Sequence, residues 1–135
     1  MSNSRIVNTS KTLAATRQIH AAINHYRAGD FECAITLCSA AEGQLPEPPE
    51  PCYLFNLLQQ AAQQQKISGG EKNDFNFAAT WLKHRWGDNE VQIDSALVIF
   101  WLNRAISKYC ACYGAGTAEM VSMFPWAERL PSRES

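Results

Sequence analysis

The sequence predicts an all-α fold: one bundle of about five main helices, joined by antiparallel hairpins and a proline-rich connector. Three observations predict it. Apolar residues recur at three- and four-residue spacings through most of the 135 residues, the period of one helix face. Glycine, or a Ser, Thr or Asp at cap spacing, punctuates those stretches. Strand-like alternation is confined to residues 90–94, where Val91 and Ile93 sit between polar neighbours.

The first helix begins at a Thr9 or Ser10 cap and runs to residue 28, where Gly29 supplies the left-handed position past its end. Its apolar stripe is Leu13, Ile19, Ala22, Ile23 and Tyr26. Asp30 caps the second helix, residues 31–42, with the stripe Phe31, Ala34, Ile35, Cys38 and Ala41 and Leu37 beside it. A link as short as Gly29 and Asp30 permits only an antiparallel hairpin. Gly43 and the prolines at 46, 48, 49 and 51 read as a stiff extended connector, because proline at this density cannot lie inside a helix.

A third helix is expected over 52–65, carrying Leu54, Leu57, Leu58, Ala61 and Ala62, with its glutamines on a solvated face. Ser68 and Glu71 have capping-box spacing before a helix over 72–85, on which Phe75, Ala78, Trp81 and Leu82 share a face. Gly87 ends it. Asp94 or Ser95 caps the central helix, which reaches Tyr113 before Gly114. Leu97, Val98, Phe100, Trp101, Leu102, Ile106 and Tyr109 make that helix apolar on more than one side, so it is expected to be buried. Thr117 caps a last short helix that Pro125 interrupts, and Trp126 and Leu130 anchor the tail. The whole chain reads as one domain, with residues 1–8 and 131–135 as loose tails.

Charge and composition narrow the function classes. Twelve basic and thirteen acidic side chains give a net charge of −1, and neither half of the chain is basic, which argues against a broad nucleic-acid face. The longest apolar run, residues 96–102, is seven long, against roughly 20 needed to span a bilayer. No membrane span or secretion signal is expected. The five cysteines, Cys33, Cys38, Cys52, Cys110 and Cys112, are odd in number and contain no C-x-x-C pair. Cys33 and Cys38 fall about 140° apart on a helix. The cysteines read as free thiols in a reducing, cytoplasmic setting, with neither a disulfide framework nor a zinc site.

Three resemblances accompany these motifs. Tyr26-Arg27-Ala28-Gly29-Asp30-Phe31 and the spacing of Ala34, Ala41 and Pro46 resemble the inter-helix part of a single tetratricopeptide-type hairpin over residues 26–46. Over residues 12–113 the chain is similar to a group of small uncharacterised bacterial all-helical proteins. The segments that carry this are Arg17-Gln18-Ile19-His20, Gly29-Asp30, Ala40-Ala41, Lys72-Asn73-Asp74-Phe75-Asn76-Phe77 and Lys83-His84. That group implies a fold and carries no activity. Small helical bundles also resemble the HEPN superfamily of nucleases and nucleotide-binding proteins. Its ribonuclease motif places four to six residues between Arg and His. Here Arg17 precedes His20 by two and His25 by seven, so the resemblance extends to fold alone.

Two polar constellations are candidate ligand sites. Arg17, His20 and Asn24 lie three and four positions apart on one helical stripe and offer a cation, an imidazole and an amide to a carboxylate or phosphate. Read structurally, they form the half-exposed edge of the apolar stripe. Asn73, Asp74 and Asn76 begin the fourth expected helix, and Lys83, His84 and Arg85 end it. This charge order complements the helix dipole. Crowding by Phe75 and Phe77 predicts in addition that at least one of Asn73, Asp74 and Asn76 is pulled inside and hydrogen-bonded. Among the four tryptophans, Trp101 and Trp81 read as core and Trp86 as a candidate exposed contact. No phosphate loop, nucleophile elbow or metal-ligand spacing occurs, so no catalytic residue, metal or cofactor is assigned.

The leading expectation is a non-enzymatic helical interaction module that self-associates, as a homodimer, with a protein partner conceivable and nucleic acid disfavoured. Its motive is surplus apolar surface on the central helix of a small protein. The alternative is a ligand-binding protein or enzyme with a polar pocket where Arg17 and His20 meet Lys83 and His84. A further alternative is an RNA-associated protein of HEPN-like fold without the usual Arg/His motif.

Overall fold

A computed structural model describes residues 4–48, 77–83 and 90–128 of the chain. The described residues form five α-helices and one 3₁₀ turn, with no strand among them: α1 (Lys11–Ala28), α2 (Phe31–Gln44), α3 (Phe77–Lys83), α4 (Ser95–Tyr113), α5 (Ala118–Met123) and the turn Pro125–Glu128. The architecture is an all-α bundle, as the apolar periodicity predicts. The helix expected over 52–65 lies outside the described residues, as do the start and end of the helix expected over 72–85.

Local chemistry explains the helix ends. Ser10 caps α1, its Oγ accepting from the Leu13 N–H at 3.0 Å. Ser10→Ala is expected to cost about 1 kcal/mol of unfolding free energy by chemical denaturation. Gly29 closes α1 with φ of 87°, a conformation that glycine alone adopts without strain. Asp94 caps α4, accepting from the Ala96 N–H at 2.7 Å, and Thr117 caps α5 through the Met120 N–H.

Two local expectations are corrected. Asp30 occupies the cap position of α2, but its side chain makes no cap bond; Oδ2 stands 3.3 Å from His25 Nδ1 instead. The helix also continues through Gly43 to Gln44 rather than ending at residue 42. Leu45 is buried and its N–H donates to the Ala41 carbonyl, so packing carries the last turn to the brink of Pro46. Residues 90–94 pair with no strand.

α1 and α2 form the antiparallel hairpin and share the most extensive helix contact. Ala15, Ala22, Ala34 and Ala41 are fully buried, small residues that let two backbones approach closely. α4 lies against both. Thr12 meets Tyr113 and Thr16 meets Tyr109, so α4 runs antiparallel to α1. Glu42 meets Arg104 and Pro46 meets Cys112, so it runs parallel to α2. The core is Ile19 and Ile23 of α1, Ile35 and Cys38 of α2, and Val98, Leu102 and Ile106 of α4, closed by Met120 and Ala127. α3 packs on α2, and α5 packs on α1. Of the expected α1 stripe, Leu13 is exposed and Tyr26 half-buried, because the buried face turns toward Ala15.

Candidate functional site

The polar stripe of α1 divides between two roles. The ring of His20 is half-buried, with Nε2 2.7 Å from Thr117 Oγ1 and 3.4 Å from Glu119 Oε2. Since Thr117 is the cap of α5, His20 fastens the start of that helix to the middle of α1. Two turns further on, Arg27 Nη2 donates to Ser122 Oγ at 3.3 Å. The side chains of Arg17 and Asn24 are exposed and make no hydrogen bond with a described residue. The partners of His20 lie 97 residues away or more in sequence, and no local signal marks them.

Lys83 is exposed at the end of α3. α3 packs on α2, whereas His20 faces α5, and no described contact joins Lys83 to Arg17, His20 or Asn24. Asn73, Asp74, Asn76, His84 and Trp86 lie outside the described residues. Trp101 is buried, Trp81 is half-buried, and Trp126 stacks on Phe124 with ring centres 5.6 Å apart.

The bundle also encloses a charged cluster that sequence reasoning missed. Arg104 of α4 and Glu42 of α2 retain only 13% and 12% side-chain exposure. Arg104 Nη2 donates to Glu42 Oε1 at 2.8 Å. Nε stands 2.8 Å from Oε2 at an angle outside hydrogen-bond geometry, so that second contact is purely ionic. The guanidinium also lies 4.8 Å from the centre of the Trp101 ring. One turn along α4, Lys108 is 6% exposed and its Nζ donates to the Glu42 carbonyl at 2.9 Å. That carbonyl belongs to the last turn of α2, which has no basic residue of its own. Lys108 therefore complements the negative end of the α2 dipole from a neighbouring helix. The available signal was Glu42 itself, four positions beyond Cys38 and so on the buried side of α2.

Cys33, Cys38, Cys110 and Cys112 are free thiols, and Cys52 lies outside the described residues. Burial, reinforced by Glu42 one turn on, pushes the Cys38 thiol far above its ordinary range. Native protein is expected to label at Cys33 and Cys112, which are half-buried, while Cys38 labels only on unfolding. The unfolded chain releases the Cys38 proton in the ordinary thiol range while the native state keeps it. Stability therefore falls as pH rises through that range, by up to about 1.4 kcal/mol per pH unit. Unfolding curves of wild type and Cys38→Ala across alkaline pH test this: the variant loses that slope.

A third region is apolar. Ile6 is 91% exposed and Val7 72%, in a segment without regular secondary structure in which residues 4–10 are all exposed. Leu13 and Tyr113 complete the exposed large hydrophobics among the described residues. The Thr12 and Tyr113 hydroxyls are 2.6 Å apart, which places the start of α1 against the end of α4. The Tyr109 and Tyr113 rings lie 4.8 Å apart, and Thr16 donates to the Tyr109 hydroxyl at 3.3 Å. No helix among the described residues is long and apolar enough to cross a membrane. Comparison with family models, curated proteins and solved structures found no match to this chain.

Proposed function

We propose that the chain is a non-enzymatic helical interaction module that self-associates as a homodimer in a reducing, cytoplasmic compartment. One observation carries this reading. The exposed large hydrophobics of the described residues collect at one end of the bundle, where α1 begins and α4 finishes. Isolated apolar side chains on a surface are ordinary; their concentration marks a contact surface. Tyr113 adds an aromatic ring with a hydroxyl at its edge, a residue type enriched where proteins meet. The free thiols support the choice of compartment. Light scattering at micromolar concentration is expected to give twice the 15.1 kDa mass of one chain. A mass of one chain under those conditions overturns the reading.

A further inference from the structure

The amino-terminal segment and the surface around Tyr113 are complementary in charge as well as in hydrophobicity. The segment carries Arg5 immediately before Ile6 and Val7, and Lys11 at its junction with α1. On the other side, Cys112 Sγ donates to the Pro46 carbonyl at 3.2 Å, which brings exposed Glu47, the next residue, beside the last turn of α4. α2 and α4 both finish at this end, and neither has a basic residue in its last turn. Lys108 already answers the α2 end through the Glu42 carbonyl, so the carboxyl end of α4 and Glu47 supply the negative charge of the receiving rim, with Leu13 and Tyr113 as its apolar surface.

We propose that two copies exchange their amino-terminal arms: Ile6 and Val7 of each cover Leu13 and Tyr113 of the other, while Arg5 of each pairs with Glu47 of the other. This rests on the self-association proposed above. The arm and its receiving surface share one end of the molecule, so a two-fold axis through that end satisfies both arms at once, as an isologous dimer requires. The five residue-to-residue steps from Arg5 to Ser10 reach about 17 Å when extended, enough to cross such an interface. The chemistry needed on the partner, a negative rim around an apolar patch, is present on the chain itself.

Two sets of variants of the full chain test the exchange. Ile6→Ser combined with Val7→Ser is expected to raise the dimer dissociation constant by about 100-fold. Arg5→Glu and Glu47→Arg are each expected to weaken their own homodimer by about tenfold, since each places like charges together twice. Mixed in equal amounts, those two variants are expected to form a heterodimer in preference to either homodimer, which native mass spectrometry resolves. A wild-type chain that stays monomeric overturns self-association and the exchange with it. A wild-type dimer whose Ile6/Val7 variant dimerises unchanged, or whose charge variants show no preference for each other, overturns the exchange and leaves self-association standing.

Discussion

Arg104→Ala is expected to lower the unfolding free energy by about 3–5 kcal/mol, the cost of leaving one member of a buried ion pair alone. Glu42 sits at 12% side-chain exposure and loses both of its contacts with the guanidinium, one hydrogen-bonded and one ionic. The Trp101 ring loses the cation above it as well. Lys108 softens the loss only in part, because its ammonium is engaged with the Glu42 backbone carbonyl rather than with the carboxylate. Denaturant unfolding with an unchanged slope is the appropriate measure. Exchanging both partners, Glu42→Leu with Arg104→Met, is expected to recover most of the loss, because neither member of the pair is then buried without the other, Lys108 keeps its bond to the backbone carbonyl at 42, and the volumes are largely kept. A double variant as unstable as Arg104→Ala would show that packing, and not charge, sets the cost at this site.

Gly116→Ala is expected to cost about 1–3 kcal/mol, through overpacking of the carboxyl-terminal segment. A Cβ at this position would stand 3.1 Å from Met120 Cβ, 3.2 Å from Ala127 Cβ and 3.2 Å from the Ala127 carbonyl oxygen. None of these is the free end of a flexible side chain. The Gly116 N–H also donates to that same carbonyl at 2.7 Å, which holds the two backbone stretches together and removes the room to shift. Met120 and Ala127 are both fully buried. Thermal unfolding of Gly116→Ala measures the loss, and adding Ala127→Gly is expected to return part of it by removing one of the three clashes. The contrast is Gly114, whose added Cβ would meet nothing within 4 Å and whose requirement is its φ of 87°.

How much of the molecule is legible in the chain depends on the distance between cause and effect. Ser10, Gly29, Asp94, Gly114 and Thr117 satisfy backbone groups within a few residues of themselves, so the ends of α1, α4 and α5 can be read locally. The buried faces of α1 and α2 follow from helical spacing wherever Ala and Ile repeat it. The end of α2 could not be read this way, since glycine at 43 and proline at 46 favour an earlier stop, and tertiary contacts hold the two added residues: the burial of Leu45, the Gln44–Gln18 hydrogen bond and the bond from Lys108 to the Glu42 carbonyl.

The candidate site was less legible. Arg17, His20 and Asn24 share a stripe, as spacing demands, yet His20 alone turns to the carboxyl-terminal segment. On α4, Arg104 and Lys108 fall four positions apart and look like one solvated edge. Their burial depends on Glu42, 62 residues from Arg104 in sequence, and on Trp101 beneath the guanidinium. Caps act through bonds that close within one turn, and apolar spacing marks one side of a helix, so the order of residues alone establishes most helix ends and most of the inward faces of the described helices, with Leu13 and the end of α2 as exceptions. The pairing of Glu42 with Arg104, the turn of His20 toward Thr117, and the gathering of Leu13 and Tyr113 at one end rest on which helices lie side by side. That arrangement follows from burying all the apolar stripes at once, a condition on the whole chain that no short stretch of it contains.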